Sequence, residues 1–197
     1  GDSLGLARQA AKTDADVIVF CGVYFMAETA YIVNPGKTVL LPDLDAGCPM
    51  ARMIDARTVE QMRREHPGAA VVCYVNSTAE VKAASDYCCT SSNAVQVVNS
   101  IESGRPIIFV PDKHLGRWVA KQTGRRIITH IGYCPTHVRI TPEALTELRK
   151  QYPNAEIMVH PECPATTVAL ADVVTSTSGM LRHARTSTAD TIIVGTE

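Results

Sequence analysis

The stretch VVCYVNSTAEVKAASDYCCTSSNAVQVVNSIESGRPIIFVPD, residues 71–112, decides the fold, because the chain carries it three times in altered form. The copy before it is GDSLGLARQAAKTDADVIVFCGVYFMAETAYIVNPGKTVLLPD, residues 1–43. The copy after it is EIMVHPECPATTVALADVVTSTSGMLRHARTSTADTIIVGTE, residues 156–197. Each copy has a small or acidic turn, a helical stretch, an apolar strand led by Asp16, Asp86 or Asp172, a second helical stretch and a closing strand that ends in an acid. From the leading Asp to the closing acid the spacings run 16 to 43, 86 to 112 and 172 to 197, intervals of 27, 26 and 25. Three intervals held within two residues mark a repeated structural unit, and repetition at a fixed period takes precedence over any local reading.

The strand candidates DVIVFCGV, TVLLPD, AVVCYVN, PIIFVPD, RIITHIGYC, EIMVHPE and DTIIVGTE are rich in Val and Ile and nearly continuous in apolar character. Such runs predict strands buried on both faces of a parallel sheet. Helical patterns separate them, among them SLGLARQAAKTD, TAEVKAASD, SSNAVQVVNSI, HLGRWVAKQTG and TPEALTELRKQYP. The last has Thr141 placed as N-cap, Pro142 at the first helical position and Glu143 in the first turn. Strands alternating with helices of this length form α/β units. The predicted architecture is α/β: three pseudo-threefold-related, three-layer αβα units with parallel sheets, divided at residues 1–67, 68–152 and 153–197. The first unit is expected to lack an N-terminal strand and the third a C-terminal part, the chain being an internal piece of a longer protein.

Composition narrows the function. The 197 residues are 46% hydrophobic, enough for a sizeable core, and the net charge is −1. That balance offers no basic face for nucleic-acid phosphates. No apolar run reaches the length of a membrane span and no signal peptide opens the chain, so a cytoplasmic protein is expected. None of the seven cysteines forms a C-x-x-C pair. Cys21, Cys73, Cys88 and Cys89 lie in or beside apolar segments and read as small buried hydrophobes. Cys48, Cys134 and Cys163 instead follow strands in Gly- or Pro-marked loops, AGCP, GYCP and PECP. In a reducing compartment such cysteines point to metal binding or catalysis.

In parallel sheets, ligands gather beyond the carboxyl ends of the strands, at helix N-termini. The polar motifs fall at those places: Gly-Asp-Ser at 1–3, Tyr-Val-Asn-Ser at 74–77, Thr-Ser-Ser-Asn at 90–93, His-Pro-Glu-Cys at 160–163 and Ser-Thr-Ser at 176–178. Any one of them reads as an ordinary N-cap. At equivalent positions of a threefold repeat they converge on an anion-binding centre.

The motifs GDSLxLA, DVIVFCGVxFMAETA, LPDLxAGC, YVNSxAEVKAxSD, CTSSNA, FxPDxxLGxxVAxQTG, GYCxxH, HPEC, STS and IIVGTE, which together run the length of the chain, resemble those of the quinolinate synthase family. The resemblance implies three α/β domains meeting at a central 4Fe–4S cluster held by three cysteines, with one iron open to substrate. It implies an enzyme of de novo NAD biosynthesis that condenses iminoaspartate with dihydroxyacetone phosphate to quinolinate, with loss of phosphate and two waters. Coupling to an aspartate-oxidising enzyme is the implied partnership. The matching motifs make Cys48 and Cys134 the implied cluster ligands. They make Ser3, Tyr74, Asn76, Ser91, His137, His160, Glu162, Ser176 and Thr177 the implied substrate residues. Glu162 beside His160 is the candidate proton-transfer group, followed by Tyr74 and His137. His66, His114, His130 and His183 are assigned no role.

The resemblance also implies a His- and Tyr-bearing strand before Gly-Asp-Ser and a third cluster cysteine beyond the last strand. Cys163 aligns near Ser77 in the repeat, at a helix start, and is a weak substitute for that third ligand. The piece alone is therefore expected to be a poor catalyst. The rival readings are another 4Fe–4S hydro-lyase acting on a small hydroxy acid and a non-catalytic, truncated anion-binding fragment.

Overall fold

The structure, a computed structural model, describes residues 3–196. Gly1, Asp2 and the closing acid Glu197, all named in the repeat, lie outside the described residues. In the first copy the chain forms α1 (Ser3–Ala11), β1 (Val17–Val19), α2 (Tyr24–Val33) and β2 (Thr38–Leu40). Helix α3 (Ala56–Glu65) leads to the second copy, β3 (Ala70–Tyr74), α4 (Ala79–Ala83), β4 (Tyr87–Cys89), α5 (Ala94–Ser100) and β5 (Ile107–Val110). There follow α6 (Lys113–Thr123), β6 (Ile127–Thr129), α7 (Pro135–Val138) and α8 (Pro142–Gln151). The third copy gives β7 (Glu156–Val159), α9 (Ala165–Val168), β8 (Val173–Val174), α10 (Thr177–Thr186) and β9 (Ile192–Gly195).

All strand pairing among the described residues is parallel, in three sheets: β1-β2, β4-β3-β5-β6 and β8-β7-β9. In the second and third sheets the first strand of the copy lies between the other two. The first sheet has no counterpart of β3 or β7 among the described residues, and β1 pairs directly with β2. No described helix is long and apolar enough to cross a membrane.

The second sheet is buried as the Val- and Ile-rich runs predict. Ala70, Val72 and Tyr74 of β3 and Ile107 and Phe109 of β5 face one cluster, which α5 and α6 cover through Val98, Leu115 and Val119. Val71, Cys73, Ile108 and Val110 face the other side, covered by Val59 of α3 and Val81 of α4. Period-two alternation onto two apolar layers makes a three-layer αβα unit. The first sheet departs from the expectation of burial on both faces: Val17 is 49% and Val19 59% exposed, and Leu40 49%. A two-stranded sheet without a central strand has no interior position at which both faces are covered. Cys21 and Cys88 are likewise exposed, whereas Cys73 and Cys89 are buried as expected.

The Asp that leads the middle strand has a defined role. The Asp86 carboxylate accepts the Val71 N–H at 2.8 Å and pairs with Arg63 at 2.9 Å. Asp172 accepts the Ile157 N–H at 2.8 Å and pairs with Arg149 at 2.9 Å. Each Arg comes from the helix before its sheet, and also donates to a carbonyl two residues before the Asp, Ala84 or Leu170. The clamp thus ties helix, edge strand and the second N–H of the central strand together. The clamp is made at the same sequence spacings in both copies.

Burial opposes ionisation of Asp86, but the hydrogen bonds from Arg63 and Val71 hold its carboxyl below the ordinary range. The stabilisation is complete above the unfolded-state value of about 3.9 and is lost as pH falls through the lower folded value. Asp86→Ala should cost about 1–3 kcal/mol, since it strands a strand N–H and a guanidinium. Thermal melts should show this loss at pH 7 and should show it shrinking toward pH 3. An unchanged melting temperature at pH 7 would remove the clamp from the account.

Candidate functional site

The carboxyl ends of β3 and β7 deliver the site. After β3 the chain turns at Tyr74-Val75-Asn76-Ser77, where the Ser77 hydroxyl donates to the Tyr74 carbonyl at 2.8 Å. Asn76 Nδ2 donates to the Tyr74 hydroxyl at 2.9 Å, and Ser3 Oγ at the start of α1 donates to Asn76 Oδ1 at 3.0 Å. Ser3 therefore brings the first copy to the strand end of the second. After β7 come His160 and Glu162, each 2% exposed. His160 Nε2 lies 3.2 Å from Ser91 Oγ in the loop after β4, which brings the third copy to the second.

His137 arrives from α7, whose entry is fixed by Pro135 at its first turn. Its ring stacks on His160 with centroids 4.6 Å apart, and its Nε2 is 3.0 Å from Thr196 Oγ1. His137 Nδ1 lies 3.0 Å from Glu162 Oε2, close enough for an ion pair. The approach is off the line of a hydrogen bond, however, and this buried nitrogen has no aligned partner. The Cys134 thiol, His137 and Glu162 place one ligand atom each within 4.8 Å of one another, all buried. A thiol, an imidazole with a spare nitrogen and a carboxylate form a donor set that a transition metal accepts.

Asp112 holds the Cys134 end of this arrangement, and the sequence reading gave it no role. Its side chain, 0% exposed, accepts from Leu115 N–H at 2.7 Å as the N-cap of α6 and from Cys134 N–H at 3.0 Å. The signal was present in the acid closing β5 just before a helical pattern, the usual mark of an N-cap. Gly132 makes the approach possible: a Cβ there would sit 2.6 Å from the Pro111 carbonyl. Val75, Thr90 and Thr196 are further site neighbours; each lies inside a quoted motif, but none was singled out within it.

A concave pocket enclosing about 440 Å³, its open mouth included, joins these groups. Of the sequence-predicted residues, Ser3, Tyr74, Asn76, Ser91, His137, His160, Glu162 and Thr177 line it. Ser176 does not; it is the N-cap of α10, its Oγ accepting from Gly179 N–H at 3.2 Å. Ser91 is not the helix cap expected of it, because α5 begins after Asn93, and Asn93 Oδ1 is taken by the Thr90 N–H. The turns after β3 and β7 also start their helices slightly later than the motifs suggested, with Thr78 and Pro164 as N-caps. Cys48, half-buried, packs against the same apolar cluster that contains Cys134, although 86 residues separate the two in sequence. Cys163 is buried, its Sγ directed at the Gly195 carbonyl 3.8 Å away, and burial pushes its thiol up to about 12. His130 is buried between the Pro111 carbonyl and the Gly132 N–H, and His183 pairs with Glu156, both outside the pocket.

The electrostatics divide the pocket's groups. Burial lowers His160 to about 4. Its Nδ1 accepts the Glu162 N–H at 3.3 Å, so Nε2 carries the proton toward Ser91. Burial works against the Glu162 charge, yet the His137 and His160 rings and the Tyr74 hydroxyl hold its carboxyl below the ordinary value. Burial and the Glu162 charge both raise Tyr74, which stays a hydroxyl donor at neutral pH. The same two causes raise Asp112 to about 7.

The family described as NadA: Quinolinate synthetase A protein matches the chain over residues 1–197. A quinolinate synthase of Dehalococcoides mccartyi (strain CBDB1) is 56% identical over 197 residues, covering 100% of this chain and 65% of the relative. Those of Geotalea uraniireducens (strain Rf4) and Methanoregula boonei (strain DSM 21154 / JCM 14090 / 6A8) are 55% and 54% identical over the whole chain, covering 64% and 65% of their lengths. The chain thus spans about 65% of the length of these curated relatives.

The neutral state of His160 is directly measurable. Its ring nitrogens should keep the neutral pattern in ¹⁵N spectra across roughly pH 5.5–8 and titrate near 4, well under the ordinary value of about 6.5. A midpoint above 6 would mean that the imidazole is solvated and not buried as described.

Proposed function

We propose, on the premise that this chain belongs to the quinolinate synthetase A family, that its three-way pocket forms quinolinate from iminoaspartate and dihydroxyacetone phosphate. The observation that carries this reading is the meeting of Ser3, Tyr74, Asn76, Ser91, His137, His160, Glu162 and Thr177 in one pocket lined by all three repeat copies. The substrates together bring two carboxylates and a phosphate, and the wall offers hydroxyls, an amide and the first turn of α10 to receive them. The three sheets support a division into units at 1–67, 68–152 and 153–197.

Joining the two substrates and expelling water require protons to be removed and returned close to one point. Glu162, ionised at neutral pH, is the base of this site, and the protonated Tyr74 hydroxyl beside it is the donor. Neutral His160 and the His137 ring stacked on it orient the carboxylate. Ser91 and Thr177 anchor anionic groups. Ser176 acts on them through the geometry of α10.

The donor chemistry fits a 4Fe–4S cluster at two positions. Cys48 and Cys134 would hold it, since thiolates are soft anionic ligands, and both reach the same apolar wall. The unaligned His137 Nδ1 and the Glu162 carboxylate next to Cys134 fit the side that faces such a group. When bound, the cluster supplies a Lewis-acidic iron for a substrate oxygen or nitrogen. Cys163 fits less well, because its thiol is buried and resists ionisation. The reading extends to a cytoplasmic enzyme of NAD biosynthesis served by an aspartate-oxidising partner.

The decisive assay is anaerobic, on the iron- and sulfide-reconstituted complete enzyme that carries this chain, given both substrates. Quinolinate should appear, and dihydroxyacetone phosphate should disappear with it; turnover of a hydroxy acid without loss of the triose phosphate would favour a hydro-lyase. Glu162→Gln should lower kcat by about 10²–10⁴-fold with the cluster's absorbance kept, because it removes a proton carrier. Near-normal turnover would take Glu162 out of the chemistry. Ser91→Ala should raise KM for one substrate more than it lowers kcat. Ser176→Ala should chiefly lower stability, by about 1 kcal/mol, as expected for a lost N-cap.

A further inference from the structure

Cys73 and Cys88 face one another across β3 and β4, where they are register partners. Neighbouring strands lie about 4.8 Å apart, and paired residues of parallel strands point to the same face. That separation is inside the Cα range of about 4.4–6.8 Å that a disulfide spans. Each thiol shifts the ionisation of the other. They differ in access: Cys73 is fully buried, while Cys88, on the edge strand of its sheet, is exposed. They differ in ionisation as well. The Cys73 thiol, helped by the Lys82 charge, brings Cys88 down to about 7, while Cys88 and burial push Cys73 up. Lys82 is fixed nearby, donating to the Ser77 carbonyl and lying 5.6 Å over the Phe25 ring of α2. Cys73 Sγ also contacts Ser77 Oγ at 2.9 Å and donates to the Tyr74 carbonyl at 3.3 Å.

We propose that Cys73 and Cys88 are an oxidation site, in which Cys88 is oxidised by hydrogen peroxide and Cys73 resolves it to an intramolecular disulfide. The Cys88 thiolate attacks the outer oxygen of the peroxide, the O–O bond breaks, and the departing hydroxide takes a proton to leave as water. Cys88 is then a sulfenic acid. Cys73 sulfur attacks the Cys88 sulfur, the S–O bond breaks, and the hydroxyl departs with the Cys73 proton as a second water. Two thiols lose one electron each, and the peroxide takes both. The bond would consume the thiol that donates to the Tyr74 carbonyl and contacts Ser77, loosening the turn that carries Tyr74 and Asn76. Cys89, next in sequence, faces the opposite, apolar side of the sheet, where burial holds it as a thiol.

The test treats the fully reduced chain with equimolar hydrogen peroxide and maps it by mass spectrometry without reduction. The protein should lose two hydrogens, and the peptide containing Cys73 should be joined to the peptide 83–105 through Cys88. Cys88 should also be alkylated at neutral pH about tenfold faster than Cys73 or Cys89. Cys88→Ser, a change on an exposed edge, should abolish the linked species, whereas Cys89→Ser should leave it. Cys73→Ala should instead leave a sulfenic acid on Cys88 that a dimedone probe captures. Linkage through Cys89, or oxidation of Cys88 in the unaltered chain that never proceeds to Cys73, would overturn the proposal. If Cys73→Ala fails to fold, the Cys88→Ser and Cys89→Ser pair still decides it. None of these readouts depends on quinolinate formation.

Discussion

A carboxylate buried to 2% exposure is the constraint around which the rest is arranged. Glu162 left alone in such a place would protonate or force the chain to open, since an unpaired buried charge costs several kcal/mol. Its compensation comes from residues far apart in sequence: the Tyr74 hydroxyl at the end of β3, the His137 ring on α7 and the His160 ring after β7. Those three groups can surround it only if the second and third sheets present their carboxyl ends to each other. The stacking of His137 on His160 and the Ser91–His160 contact make that docking specific. The site and the packing of the units are therefore one problem with one solution.

The repeat made this architecture readable because it is enforced by local chemistry. A strand-leading Asp that must reach the N–H of the neighbouring strand and an Arg on the preceding helix cannot drift in spacing without losing its bonds. Asp86 and Asp172 keep their partners at the same intervals for that reason. Parallel strands, their alternation onto two apolar layers and the Thr141 cap follow from patterns of two to four residues, which sequence displays openly.

What sequence could not display was the fate of groups whose environment comes from elsewhere in the chain. Cys88 reads as apolar strand filler from its neighbours, and only its place on a sheet edge exposes it. Val17 and Val19 read as doubly buried, yet β1 has a neighbour on one side alone. Ser91 and Ser176 both sit at helix starts by pattern but differ in use, because Asn93 ends the loop on its own terms and leaves Ser91 to His160, while Ser176 is taken up by its helix. Most pocket residues were legible as polar groups at strand ends. Which of them faced the pocket depended on such local competition for hydrogen bonds.

Asp112 shows how the two levels join. As an N-cap it is ordinary, and one oxygen is spent on Leu115. Its other oxygen orders the Cys134 backbone, so the helix start and the candidate ligand loop share one carboxyl group. Burial and the Glu162 charge raise this group to about 7, so it resists becoming a second anion beside Glu162. Two carboxylates close together do not ionise with equal ease, and here the division is set by partners: Glu162 has imidazoles and a phenol, Asp112 only backbone donors. The charge consequently settles on the residue that lines the pocket, and the residue that holds the scaffold carries the proton more readily. That asymmetry leaves Glu162 as the group able to accept a proton from a bound molecule, while Asp112 keeps Cys134 in place beside it.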